Sequence, residues 1–107
     1  MTGPTAARTW KSYEYRIAKL FGGTRNPLSG MNSKHTAADM IHPSIFLECK
    51  MRARIPFMKT FTDTKKSAKK EGKMPIVVFK EKYLKTSIIM MDLDDFMKLV
   101  DEDKIKP

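Results

Sequence analysis

Three carboxylates stand where the neighbouring residues predict burial. Glu14 lies four residues after Trp10 and three before Ile17, on or beside the apolar stripe of a helical pattern. Asp39 sits between Ala37-Ala38 and Met40-Ile41, and Glu48 follows Ile45-Phe46-Leu47. An ionised group in such surroundings must be paired, neutralised or metal-bound, because uncompensated burial of charge is costly. The plain account is an ion pair, Glu48 with Lys50 or Glu14 with Arg16, at the edge of a sheet. The other account covers all three carboxylates at once: a hard cation such as Mg²⁺, which takes carboxylate oxygens and waters.

Spacing alone is weak support for that chemistry. Glu-x-Lys occurs three times, at Glu48-Cys49-Lys50, Glu71-Gly72-Lys73 and Glu102-Asp103-Lys104. The second straddles a helix stop and the third lies in a polar tail. Only the first is embedded in an apolar strand pattern with an Asp nine positions upstream.

The elements that must position these residues are legible from periodicity. From Thr9, a candidate N-cap, Trp10, Tyr13, Ile17, Leu20 and Phe21 recur at helical steps until Gly22-Gly23. Residues 22–35 read as a loop rich in Gly, Pro, Ser and Asn. Ala37 to Ile41 is a short strand ended by Pro43. Ser44 to Met51 is a longer one, with Ile45, Leu47 and Cys49 on one face and Phe46, Glu48 and Lys50 on the other. Lys59 to Glu71 reads as a helix stopped by Gly72. Met74 to Lys80 and Thr86 to Met91 are β-branched, apolar strands. Asp92 caps a last helix carrying Leu93, Phe96, Leu99 and Val100. The order α-loop-β-β-α-β-β-α predicts a single α/β domain with a mixed central sheet flanked by helices. Residues 1–8 are expected to be a loose arm, 9–103 the domain and 104–107 a tail.

Composition narrows the class of partner. The 107 residues carry 21 Lys and Arg against 12 Asp and Glu, a formal charge of +9. From Lys50 to Lys73 nine basic residues face two acidic ones, whereas from Asp92 to Asp103 six acidic residues face one lysine. A basic centre with an acidic C-terminal element would orient the chain on a polyanion, with nucleic acid ahead of an anionic membrane surface. No apolar run approaches the roughly 18 residues of a membrane helix, so no membrane is expected. The start of the chain lacks a secretory signal pattern, so the expected location is the cytoplasm, or a host's cytoplasm for a viral source. The lone Cys49 excludes an intrachain disulfide framework and reads as a small buried hydrophobe. With only His35 and His42, a His-only metal site is not expected.

The residues together resemble the PD-(D/E)XK nuclease superfamily, with Asp39 as its first acidic residue and Glu48-Cys49-Lys50 as its Glu-x-Lys half. Ala38 stands in place of the Pro that gives the pattern its name. More narrowly, the chain is similar to archaeal and phage Holliday junction resolvases. Glu14 matches their first-helix Glu, and Arg25-Asn26-Pro27-Leu28-Ser29-Gly30 matches their Arg-x-Pro-x-Ser-Gly loop. In the archaeal pattern Arg follows the helix Glu directly, where Tyr15 stands here, and Asp63 or Thr64 takes the place of a Gln on the next helix.

The resemblance implies a restriction-endonuclease-like core and Mg²⁺-dependent hydrolysis of DNA phosphodiesters at four-way junctions, with Mn²⁺ able to substitute. Asp39, Glu48 and the backbone carbonyl of Cys49 would hold the metal, and Glu14 would complete the cluster directly or through a metal-bound water. Lys50 would orient the attacking water or meet the developing charge. Arg25 would clamp a phosphate, Ser29-Gly30 would let a loop approach the backbone, and Arg52, Lys65, Lys66 and Lys69 would add sequence-independent phosphate contacts. A junction's near two-fold symmetry implies a homodimer that presents two sites, with the small sheet or last helix as the interface. Three rivals stand beside this expectation: a nuclease of the same fold acting on flaps, nicks or duplex ends; a non-catalytic nucleic-acid-binding protein of that fold; and a basic ribosomal-type protein, which leaves Glu14, Asp39 and Glu48 unexplained.

Overall fold

Two runs of alternating and β-branched residues form the backbone of the molecule, joined through a helix. In the computed structural model the described residues are 6–27, 36–52, 54–81 and 85–100, with backbone alone for 6–9, 52 and 81. They form α1 (Ala6–Leu20), β1 (Thr24–Arg25), β2 (Met40–Ile41), β3 (Ile45–Arg52), α2 (Phe57–Glu71), β4 (Met74–Glu81), β5 (Ile88–Met90) and α3 (Leu93–Leu99). β3 and β4 are parallel, with Glu48 opposite Val77 and Lys50 opposite Phe79, and α2 is the crossover that a parallel pair needs. β5 returns antiparallel, Ile89 opposite Val78, giving a mixed sheet in the order β3-β4-β5.

Side-chain alternation then splits the core between two faces. Leu47, Cys49, Ile76 and Val78 pack with Tyr13, Ile17 and Ala18 of α1. Val77 and Phe79 meet Phe61 of α2, and Phe46 meets Ala68 of the same helix. β4 is buried from Ile76 through Phe79, as a strand covered on both faces must be. The fold is therefore α/β with helices on either side of a mixed sheet, in the expected element order. No helix among the described residues is long and apolar enough to cross a membrane.

The differences from the sequence expectation lie at element ends. α1 begins at Ala6, not after Thr9, because Ala6-Ala7-Arg8 are strong helix formers that extend it. Residues 6–8 of the expected arm are thus helical, while 1–5 and the 104–107 tail lie outside the described residues. α2 begins at Phe57, two residues early, with Pro56 at its N-cap and the Thr60 amide bonded to the Pro56 carbonyl at 2.9 Å. The expected loop after α1 contains β1, which pairs with β2, and the expected strand 37–41 shrinks to Met40–Ile41. Both helix stops are as read. Gly22 and Gly72 adopt φ of 77° and 65°, and the amides of Gly23 and Lys73 close on Ala18 and Ala68 carbonyls at 3.0 Å.

Gly23 permits the turn that carries the chain from α1 to the site. A Cβ there would collide with the Met40 side chain and lie 2.8 Å from the Ile41 carbonyl oxygen. Gly23→Ala should cost about 1–3 kcal/mol, read as a lower urea midpoint. Lys19→Ala, on the exposed side of α1, should stay within about 0.5 kcal/mol of the parent.

Candidate active site

The outer edge of β3, away from β4, is closed by a single residue. The Asp39 amide donates to the Leu47 carbonyl at 2.9 Å, and Asp39 Oδ2 accepts the Cys49 amide at 2.7 Å. In an extended strand one residue's N–H and C=O leave toward the same edge, so the Cys49 carbonyl opens on the edge that Asp39 occupies. Asp39 is itself held from behind. Its carbonyl accepts the Asn26 amide at 2.8 Å, and Asn26 Nδ2 donates to the Thr36 and Ala38 carbonyls at 3.1 and 2.9 Å. Asn26 is 1% exposed.

Glu14 comes from the α1 side and is buried, with its Oε1 3.0 Å from Nε of the mostly covered Arg25. Arg16, the sequence's partner for Glu14, lies over the Tyr13 ring at 5.6 Å instead. Residues two apart on a helix do not face each other, whereas β1 brings Arg25 to the buried carboxylate. Glu48 and Lys50 share the α2 side of β3 as predicted, and their charged ends are 3.3 Å apart, so that expected ion pair forms. Cys49 faces the α1 side and is buried, where loss of solvation, with Asp39, Glu14 and Glu48 around it, pushes its thiol pKa up.

The electrostatics centre on Asp39. Burial, followed by repulsion from Glu48 and with a further push from Glu14, raises its pKa from 3.8 to about 8, against the opposing pull of the Cys49 amide and Lys50. Two acidic groups, Glu48 and Glu14, therefore oppose the ionisation of Asp39, a repulsion that a divalent cation would relieve. Among the described residues no group of three or more His, Cys, Asp or Glu side chains could hold a metal ion together. A cation bound here would have two carboxylates, Asp39 and Glu48, with the Cys49 carbonyl and waters as its donors. These hard oxygen donors fit Mg²⁺ or Mn²⁺.

A groove of about 380 Å³ opens on the Glu48–Lys50 face, lined also by Lys59, Asp63, Thr64 and Ser67 of α2. Lys65, Lys66 and Lys69 lie elsewhere, in a cleft with Lys73, Pro75 and Asp92. Ser29, Gly30 and the Arg52 side chain fall outside the described residues. Two contributors were missed by sequence reading. Asn26 sits within a Gly/Pro-rich stretch that reads as loop, and its two carbonyl partners lie ten and twelve residues on. Lys59 lines the groove and pairs with Asp63 at 2.7 Å; its position one turn before Asp63 was the available signal.

A third tie steadies the Asp39 segment. Glu71, at the end of α2, accepts hydrogen bonds from the Thr36 hydroxyl and from the Ala37 amide, the latter at 3.0 Å. Burial opposes its ionisation, but these bonds and Lys73 outweigh that and hold its pKa below the usual carboxylate value. In comparisons with known proteins the chain matches no family model, no curated protein and no solved structure.

Because the folded chain holds the Asp39 proton more tightly than the unfolded chain, ionising Asp39 works against the fold. Its contribution is fully present below pH 3.8 and is lost as pH rises through about 8. In metal-free buffer Asp39→Asn should therefore melt above the parent at pH 8.5, with the gap narrowing steadily as pH falls toward 3.8. Each 1 kcal/mol relieved is worth roughly 4–8 °C in Tm for a domain of this size. Groups such as Glu71 titrate equally in both proteins and cancel in the difference.

Proposed function

We propose that this chain is a metal-dependent endodeoxyribonuclease with a restriction-endonuclease-like core, acting on branched DNA and on four-way junctions above all. The observation that carries the reading is Asp39. Its buried carboxylate is clamped at 2.7 Å to the Cys49 amide and feels Glu48 and Lys50, which line the groove, and a surface that only binds phosphates gains nothing from a carboxylate such as Glu48 in that lining. Bound Mg²⁺, or Mn²⁺, would polarise the scissile phosphate and lower the pKa of a water so that it attacks at neutral pH.

The chain's own residues do the rest. Asp39 and Glu48 offer oxygens from two directions, one at the strand edge and one on its α2 face. Lys50, held by Glu48 at 3.3 Å, keeps its ammonium at the rim of the groove, where it meets charge developing on the phosphate. Lys59, Thr60 and Ser67 across the groove supply a cation and hydroxyl donors for the neighbouring backbone. Glu14 and Arg25 neutralise one another and brace the turn into β1, which makes Arg25 a support of the acidic cluster as well as a candidate phosphate contact.

Cutting a junction on two strands requires two such sites related by a two-fold axis, so the acting species is a homodimer. β5, at the end of the sheet order, and α3, which has no buried residue, present Ile88, Ile89, Leu93, Phe96, Met97 and Leu99 to solvent. Continuous apolar surface of this kind on a small domain marks an interface. The Glu48–Lys50 ion pair is the one observation that favours a non-catalytic DNA-binding protein of the same fold.

Incubation of a labelled four-way junction with Mg²⁺ should give paired, symmetric nicks that EDTA abolishes. Asp39→Asn and Lys50→Ala should each lower the rate by at least about 100-fold, the scale of losing an electrostatic or acid–base participant. A junction bound tightly but left uncut in both Mg²⁺ and Mn²⁺ would leave the binding-protein reading in place. Sedimentation should show a dimer at micromolar concentration, with Leu93→Asp/Phe96→Asp shifting it to monomer. Sedimentation as a monomer with and without DNA would exclude paired cutting by this interface.

A further inference from the structure

α2 carries lysines on two flanks, and only one of those flanks borders the carboxylates. The first flank, with Lys59 and Asp63, lines the Glu48–Lys50 groove. The second, with Lys65, Lys66 and Lys69, joins Lys73, Pro75 and Asp92 around a separate cleft of about 340 Å³. Asp63 and Lys65 are two residues apart, which sets them roughly 160° apart round the helix axis. The two hollows share no lining residue.

Inside the second cleft four ammonium groups face one carboxylate. Asp92 Oδ2 lies 3.1 Å from Lys65 Nζ, and Lys73 is mostly covered and paired with Glu71 at 3.4 Å. Lys66 and Lys69 are exposed and have no ion-pair partner among the described residues. Asp92 stands at the N-cap of α3 yet makes no side-chain cap hydrogen bond, so its charge serves Lys65 and not the helix end. Two of the four lysines, Lys65 and Lys73, are thus paired from within, and the cleft keeps a surplus of positive charge. Lysines suit a phosphate backbone because a mobile point charge meets it without demanding a fixed geometry.

We propose that this cleft is a second, non-catalytic binding site for the phosphodiester backbone of DNA, which takes a backbone segment other than the one that meets Glu48 and Lys50, with Asp92 holding Lys65 until a phosphate displaces it. The proposal rests on the nuclease reading for the identity of its polyanion. Its geometry follows from α2. A helix with its side chains is about 10–12 Å across, and the two backbones bordering a B-DNA major groove are about 12 Å apart. With the outer face of α2 in that groove, the cut strand lies on the Glu48 flank and the uncut strand on the Lys65–Lys69 flank.

The test is binding, not cleavage: anisotropy of a labelled duplex and a labelled four-way junction, from about 50 to about 200 mM salt without divalent metal. Lys65→Ala/Lys69→Ala should weaken binding about tenfold at the low-salt end. It should also reduce the slope of log K against log salt by about 1.8, the release expected for two phosphate contacts. Lys11→Ala/Lys19→Ala removes the same charge from α1, on the opposite side of the sheet, and should leave the slope nearly unchanged. Asp92→Asn should tighten binding by roughly two- to fivefold, as loss of an exposed competing ion pair allows. Equal slope losses for the two lysine pairs would show diffuse attraction and overturn the cleft, as would an unchanged slope for Lys65→Ala/Lys69→Ala. Binding with the predicted slopes but no cutting in Mg²⁺ or Mn²⁺ overturns the nuclease reading and leaves the cleft standing, whereas absence of DNA binding overturns both.

Discussion

The outer edge of β3 sets the terms for everything around it. The Leu47 carbonyl and the Cys49 amide point away from β4 into a region too buried for water to satisfy them, and buried backbone groups must find partners. Asp39 answers both, with its own amide and with its carboxylate. Using a carboxylate for that task places a charge where solvation is poor and where Glu48 and Glu14 already repel it. The arrangement holds because the segment that carries Asp39 is tied on each side: to Asn26 through three hydrogen bonds and to the end of α2 through Glu71. Strand register, loop anchoring and acidic convergence are one problem with one solution.

The same constraint explains how the charges are divided. Two ion pairs, Glu14 with Arg25 and Glu48 with Lys50, flank Asp39 from the two sides of the sheet. Each leaves a cationic group beside an acidic one, so the site is balanced at its rim, while Asp39 at its centre holds its proton up to about pH 8. Under the proposed function, the lysines would meet a phosphate at the border and the carboxylates a cation in the middle. The strongly basic stretch from Lys50 to Lys73 then divides around α2. The crossover helix between two parallel strands thereby covers one face of the core and, in the proposed function, would also face the polyanion.

Much of this was legible in the sequence where the signal is local. The alternation in Ile45–Arg52 placed Glu48 and Lys50 on one face and Cys49 on the other, and Gly22 and Gly72 marked both helix stops. Asp39, Glu14 and Glu48 stood out because polar residues interrupt apolar patterns. What was not legible depends on contacts distant in sequence. A two-residue strand such as β1 has no periodicity to detect, and it exists because β2 is there to pair with it. The partner of Glu14 lies eleven residues away, across a glycine turn, and the nearer arginine was the natural guess. Asn26 reads as turn chemistry until the carbonyls of residues 36 and 38 are brought to it. The division of the lysines between two hollows follows from the angle at which α2 lies on the sheet, which its own sequence does not encode.

The proposed mechanism turns on Asp39 as a ligand of a divalent cation, which calorimetric titration with Mn²⁺ near pH 7, in buffers of differing ionisation enthalpy, puts to the test. Asp39, with its pKa near 8, must give up its proton to bind metal. Saturable binding accompanied by proton release, both lost in Asp39→Asn, is the result predicted. No binding, or binding of equal affinity and without proton release in the parent and Asp39→Asn, would contradict it and leave Asp39 as a structural staple of the β3 edge.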